Sequence, residues 1–210
     1  MSPPKLNIVL TGVGGQGIIT MATLLAEAAL DSGLRAIVAE THGLSQRGGT
    51  VIVHVRIGRG VLAPLVPRGA ADIMIALEPL EALRYVDYLK RNATLIVNAY
   101  MIPPPLPGIK LPDLREIEDK LKSLNPQNLR VFMVDATREA IRLGDARVAN
   151  TYLLGYALGV GAFQDILKIE NIEAAIKRIG KLVDKNIEAL RRGYEAGLRA
   201  IAMEREGSKV

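Results

Sequence analysis

LNIVLTGVGGQGIITMATLLAEAAL, residues 6–30 of the 210-residue chain, joins three local codes in series. Residues 6–11 (LNIVLT) form a short apolar run and read as a buried strand. Residues 12–17 (GVGGQG) place four glycines where the chain must turn sharply. Residues 18–30 are apolar at almost every position and predict a buried helix that stops near Gly33. A second apolar run follows at 35–39 (RAIVA). The order strand, helix, strand, with strands apolar throughout, suits a parallel sheet covered on both faces.

The pattern changes downstream. In 50–57 (TVIVHVRI), Val51, Val53, Val55 and Ile57 alternate with Thr50, Ile52, His54 and Arg56. That period of two predicts a strand with one wet face, antiparallel or near an edge, with His54 on the wet side. Gly58 and Gly60 suggest a turn into another short strand. Residues 72–77 (DIMIAL), 94–97 (TLIV) and 129–134 read as further buried strands. Between the first two lies a helix over 79–89, with Pro79 in its first turn, where the missing N–H costs nothing. Residues 103–107 are too proline-rich for helix or central strand and form a stiff connector. A helix is expected over 111–124.

From Ala136 onward the chain reads as mostly helical. Gly155, Gly159 and Gly161 lie in the apolar stretch 147–161 and predict close packing on another backbone. Residues 181–202 space Val183, Ile187, Leu190, Tyr194, Leu198 and Ile201 by threes and fours, the mark of an amphipathic helix. The expected architecture is α/β: one Rossmann-like three-layer sandwich with a mostly parallel sheet. A single domain spans 1–210, with a core over about 5–160 and a helical C-terminal extension over about 161–205.

Composition narrows the chemistry. Apolar residues make up 49% and aromatics 4%, with no Trp, so the core is aliphatic. There is no Cys, which removes disulfides, a thiol nucleophile and thiolate ligands for iron–sulfur or zinc centres in this chain. Two histidines do not suggest a metal site. The net charge of +5 is scattered, without the clustered cations and stacking aromatics of a nucleic-acid surface. The longest apolar stretches fall short of the ~20 residues a membrane helix needs. The N-terminus MSPPKLN lacks a signal-peptide pattern, and a cytoplasmic protein is expected.

Residues 12–17 fit G-x-G-x-x-G between a strand and a helix. Gly12 permits the tight turn, Gly14 and Gly15 let backbone N–H groups approach an anion, and Gly17 allows close helix–strand packing. Gln16 is a candidate side-chain donor. A phosphate suits the helix N-terminus, and Glu40, closing the second strand, stands where an acid bonds a ribose hydroxyl in nucleotide sites. The alternative is a turn that needs glycine for packing alone. A second polar loop, 41–49 (THGLSQRGG), follows on the same rim. Arg47 there can pair with a phosphate, a carboxylate or a partner's acid, Gly48 and Gly49 can offer N–H groups, and His42 flanks the site. An exposed turn with a solvated Arg is the alternative. No residue presents a clear acid–base role.

Together, GVGGQGI at 12–18, ETHGLSQRGGTV at 40–51, ADIMIALEPLEALRY at 71–85 and NTYLLGYALG at 150–159 resemble the gamma-type subunits of 2-oxoacid:ferredoxin oxidoreductases. His42-Gly43 and Gln46 stand where pyruvate-type members usually carry Tyr-Gly and Glu, which favours the indolepyruvate branch. The resemblance implies a subunit, inactive alone, of a complex that oxidatively decarboxylates an aryl 2-oxoacid with coenzyme A and reduces ferredoxin. It places thiamine diphosphate and 4Fe–4S clusters on a larger partner subunit, with no cofactor held by this chain alone. On this reading Gly12, Gly14, Gly15 and Gly17 shape the anion-approaching turn, Gln16 donates a hydrogen bond, Glu40 and His42 flank the site, Arg47 with Gly48 and Gly49 contacts a coenzyme A phosphate, the substrate or the larger subunit, and Asn150 caps a helix or reaches the interface. Two other readings stay open: a stand-alone NAD(P)- or FAD-binding oxidoreductase, and a non-enzymatic assembly protein.

Overall fold

The computed structural model describes residues 5–42, 49–103, 110–123, 128–164 and 166–207. The elements are β1 (Lys5–Val13), α1 (Ile18–Asp31), β2 (Ala36–His42), β3 (Thr50–Gly58), β4 (Ala71–Ala76), α2 (Pro79–Tyr85) and β5 (Leu89–Asn98). They continue as α3 (Leu114–Ser123), β6 (Arg130–Val134), α4 (Ala136–Arg142), α5 (Ala149–Gly159), α6 (Ile169–Ile179) and α7 (Val183–Gly207). The proline-rich connector at 103–107 lies outside the described residues apart from Pro103.

One six-stranded sheet runs in the order β2-β3-β1-β4-β5-β6. β1, β4, β5 and β6 are parallel, and β3 is antiparallel to both neighbours. The expected mostly parallel three-layer α/β fold is therefore present. Within it, however, the first two strands are not neighbours. β2 and β3 are joined by a seven-residue link, too short for a parallel crossover, so they pair as a hairpin. β3, apolar on one face and coverable on the other, takes the central slot beside β1. β2 becomes the edge, with Val38 37% exposed, rather than a buried strand.

One sheet face packs on α1 and α5, joined by α6 and α7; Ile172, Ile176, Ala189 and Leu190 share that core with Leu10, Met21 and Leu153. The other face packs on α2, α3 and part of the 61–70 segment. That segment forms no strand, contrary to expectation, but folds over β3 and keeps Val61 and Val66 buried.

The face of β3 expected to be wet is consequently dry. His54 and Arg56 are 3% and 7% exposed. Arg56 donates to the carbonyls of Ala63 (2.7 Å) and Leu65 (3.2 Å) and to Asn7 Oδ1 (3.0 Å). The Val66 N–H donates to His54 Nδ1 at 3.4 Å, which requires that nitrogen unprotonated; burial also lowers the pKa of His54. Alternation reports which residues share a face, but not that a loop then covers it. Arg56→Ala, which strands two carbonyls and Asn7, is expected to cost about 2–4 kcal/mol in urea unfolding. Arg56→Lys is expected to recover only part of this, because an ammonium lacks the guanidinium fork.

The glycines of α5 have the close packing the sequence predicts, and the partner is α7. A Cβ at Gly155 would lie 2.0 Å from the Leu190 carbonyl oxygen, and one at Gly159 2.2 Å from that of Tyr194. In return, Gly193 and Gly197 face the carbonyls of Tyr152 (2.0 Å) and Tyr156 (2.5 Å). Gly161 differs: its φ of +72° serves the turn after α5, and a Cβ there would point into open space. On α7, Leu198 is 48% exposed, because glycines and Leu190 occupy the centre of the buried stripe.

Candidate functional site

The turn after β1 is shaped by side chains as much as by its own backbone. Gln16 folds back over it: the Val13 N–H donates to Gln16 Oε1 (2.7 Å), and Gln16 Nε2 donates to the Leu77 carbonyl (2.8 Å). Gly12 makes room for this, since a Cβ there would sit 2.6 Å from Gln16 Oε1. Gly15 and Gly17 adopt φ of +102° and +80°, where L side chains are strained. A Cβ at Gly17 would also meet Asn150 Nδ2 at 2.4 Å, the atom that donates to the Gly17 carbonyl at 3.0 Å.

A second amide ties the neighbouring strand ends together. Asn98, at the end of β5 and 2% exposed, donates to the Leu77 carbonyl (3.2 Å) and to Thr137 Oγ1 (2.8 Å). Its Oδ1 accepts from the Thr137 N–H at 3.2 Å. The carboxyl ends of β1, β4 and β5 and the start of α4 are thus one hydrogen-bonded rim.

A cleft of about 720 Å³ opens on this rim. It lies where the chain leaves β1 for one side of the sheet and the strand order continues through β4 on the other, the switch point at which open α/β sheets bind ligands. Gly15, Gly17 and Thr20 line one end, at the start of α1, whose first-turn amides lack intrahelical partners. Tyr100, Ile141 and Leu182, all partly exposed, form apolar wall. Arg147 and Lys181 contribute the cations, and no Asp or Glu is among the described lining residues. Arg147 is oriented by Asp145, whose carboxyl it holds down to about 2. The cleft can accept a ligand with an anionic group and an apolar body.

The structure brings residues 12–17 and Asn150 together. Gly14 spends its N–H on the Gly49 carbonyl (3.0 Å), which joins the two loops but removes that amide as a ligand donor. Gln16 donates to the fold itself. Glu40 does not join the cleft: β3 stands between β2 and β1, so Glu40 is exposed two strand spacings, about 10 Å, from the turn. His42 closes β2, its backbone paired with Val51. The His42 side chain, Arg47 and Gly48 lie outside the described residues. Asn98, Thr137, Arg147 and Lys181 join the site without having been expected from sequence. Polar residues just past apolar strands at 98 and 137 are a usable signal. Lys181 carries none, because only the packing of α6 and α7 brings it to the rim.

Beside the start of β3 lies a buried carboxylate pair at the start of α2. Glu78, 1% exposed, caps α2 by accepting the Glu81 N–H (3.0 Å), and also accepts the Ile102 N–H (3.4 Å). Burial raises the Glu78 carboxyl above its ordinary value, although backbone N–H donors pull the other way. The folded protein therefore keeps this proton to higher pH than the unfolded chain. The stability from this group is full below the unfolded value and is lost as pH rises through the folded one. Glu78→Gln stays neutral, so its stability relative to wild type should improve as pH rises above the ordinary carboxylate range in urea titrations. A constant difference would refute the assignment.

Glu81, 6% exposed, accepts from the Thr50 hydroxyl and from Arg84 Nε. Tyr85 OH lies 2.9 Å from Thr50 Oγ1. Thr50 itself pairs with Val13, the last residue of β1.

Among known proteins, the profile described as pyruvate ferredoxin/flavodoxin oxidoreductase matches residues 7–196. The indolepyruvate oxidoreductase subunit IorB of Archaeoglobus fulgidus is 44% identical over 92% of this chain and 96% of its own. The common subunit gamma of the pyruvate/ketoisovalerate oxidoreductases of Pyrococcus furiosus is 31% identical over 88% of this chain and 92% of its own. The gamma subunit of a keto/oxoacid ferredoxin oxidoreductase from Geobacter sulfurreducens superposes with a TM-score of 0.69 at 25% identity, covering 92% of this chain and 99% of that one. With its fold and nearly its whole length shared, the chain belongs to the pyruvate ferredoxin/flavodoxin oxidoreductase family.

Proposed function

We propose that the chain is the small subunit of a 2-oxoacid:ferredoxin oxidoreductase of the indolepyruvate type. The observation that carries this reading is the 44% identity, nearly end to end, to an indolepyruvate oxidoreductase subunit. The complex would convert an aryl 2-oxoacid, coenzyme A and two oxidised ferredoxins into the aryl acyl-CoA, carbon dioxide, two reduced ferredoxins and a proton. The chain has no Cys and, among its described residues, no cluster of His, Asp and Glu able to hold a metal. Iron–sulfur clusters therefore fit a larger partner subunit. Thiamine diphosphate, on that same partner, would supply the carbanion chemistry of decarboxylation.

This chain's part is binding and orientation. The amides at the start of α1, with Arg147 and Lys181, suit a phosphate of coenzyme A, and the wall of Tyr100, Ile141 and Leu182 suits its apolar portions. Reconstitution tests the reading. Ferredoxin reduction by indolepyruvate, phenylpyruvate or 4-hydroxyphenylpyruvate should require both subunits and coenzyme A. Full turnover by the larger subunit alone would overturn it. A stand-alone dinucleotide enzyme is disfavoured by the insertion of β3, which takes Glu40 away from the glycine turn. NADH titration of the isolated chain should show no binding at millimolar concentration.

A further inference from the structure

The glycine turn touches the residue that leads into β3 through a backbone contact, the Gly14 N–H on the Gly49 carbonyl at 3.0 Å. The contact continues the β1–β3 ladder one step beyond the Val13–Thr50 pair, at the point where both strands give way to loop. Thr50 is the last anchored residue before that contact, and its side chain is held from the opposite layer. A carboxylate only accepts, so the Thr50 hydroxyl donates to Glu81, and Tyr85 OH then donates to Thr50 Oγ1. Arg84 Nε satisfies the second Glu81 oxygen at 3.2 Å, and Glu81 is itself fixed through its N–H on Glu78. The first turn of α2 thus grips the start of β3 with a nearly fully buried charge. Burying a carboxylate is costly unless its partners are held in place. The fold could close this strand end with an apolar pair at no such cost.

We propose that Thr50, Glu81 and Tyr85 form a latch that positions the Gly49–Gly14 contact, and through it the glycine turn, for binding at the cleft. They are positioning residues; none lines the cleft. The inference deepens the proposed function and rests on it where coenzyme A is concerned. It names specificity for that co-substrate, not for the 2-oxoacid, as the property the latch controls.

Thr50→Val removes the hydroxyl and keeps the shape, while Thr50→Ser keeps the hydroxyl. Amide hydrogen exchange on the isolated chain reads the latch without any activity. The Gly14 amide should exchange about tenfold faster in Thr50→Val, the worth of one buried hydrogen bond, and at nearly the wild-type rate in Thr50→Ser. In the reconstituted complex, the KM for coenzyme A should rise about tenfold in Thr50→Val, with kcat and the KM for the 2-oxoacid within about twofold. Should Thr50→Val not fold, Tyr85→Phe removes one of the two bonds on the Thr50 hydroxyl and should shift both readouts in the same direction by a smaller factor. Unchanged Gly14 exchange overturns the latch, as does a rise in both KM values together with a lowered Tm. Faster exchange with an unchanged KM for coenzyme A overturns the positioning role. If the wild-type complex turns over without this chain, the proposed function fails, and the exchange result still decides whether the latch exists.

Discussion

Gly155→Ala or Gly193→Ala is expected to destabilise the chain by about 3 kcal/mol or more, beyond the usual range for one exposed methyl. At both positions the new Cβ would lie 2.0 Å from a carbonyl oxygen of the facing helix. That oxygen belongs to a helix backbone, so no rotamer change relieves the contact. α5 and α7 must separate, and four reciprocal approaches, at Gly155, Gly159, Gly193 and Gly197, are lost together. Each glycine Cα–H now points at the opposing oxygen, a weak hydrogen bond worth about 0.5–1 kcal/mol. Alanine's better helix propensity, about 1 kcal/mol, offsets only part of the loss. Urea unfolding checks this directly. The Gly155→Ala, Gly193→Ala double variant should cost less than the sum of the singles, because one separation relieves both clashes. Strict additivity would mean the two helices yield independently.

Gly17→Ala is expected to combine a stability loss of about 2–3 kcal/mol with a weakened cleft. Two separate causes add. The φ of +80° strains any L side chain, and the Cβ would meet Asn150 Nδ2 at 2.4 Å. Here the obstructing atom ends a side chain, so Asn150 can swing aside, at the cost of its bond to the Gly17 carbonyl. The start of α1 then loses the contact that fixes it against α5. The two causes separate in a double variant: Asn150→Ala removes the clash but leaves the backbone strain, so Gly17→Ala should be milder in that background. In the reconstituted complex, Gly17→Ala should raise the KM for coenzyme A. Equal KM values would show that the turn does not contribute to binding.

Much of this site is legible in the sequence one segment at a time. The glycine turn is visible because glycines at 12, 14, 15 and 17, between an apolar strand and an apolar helix, leave the chain no regular structure to continue. The role of Gln16 is half legible: it does donate, but to Leu77, sixty-one residues away, which no local reading reaches. Asn98 and Thr137 escape a local reading because single polar residues after apolar strands look like ordinary loop starts until two such ends lie side by side. Glu40 is misplaced by the nucleotide-site analogy, which assumes that the second strand is the first one's neighbour.

The βα unit, the aliphatic core, the lack of thiolate ligands and the glycine packing of α5 can each be read from residue type or from periodicity within one segment. The entry of β3 between β1 and β2, the burial of His54 and Arg56, and the arrival of Arg147 and Lys181 at the rim emerge only on folding. Periodicity tells which residues share a face. What covers that face, and which strand lies beside which, depends on the competition among distant segments for the same apolar surface, and that is settled only when the whole chain packs.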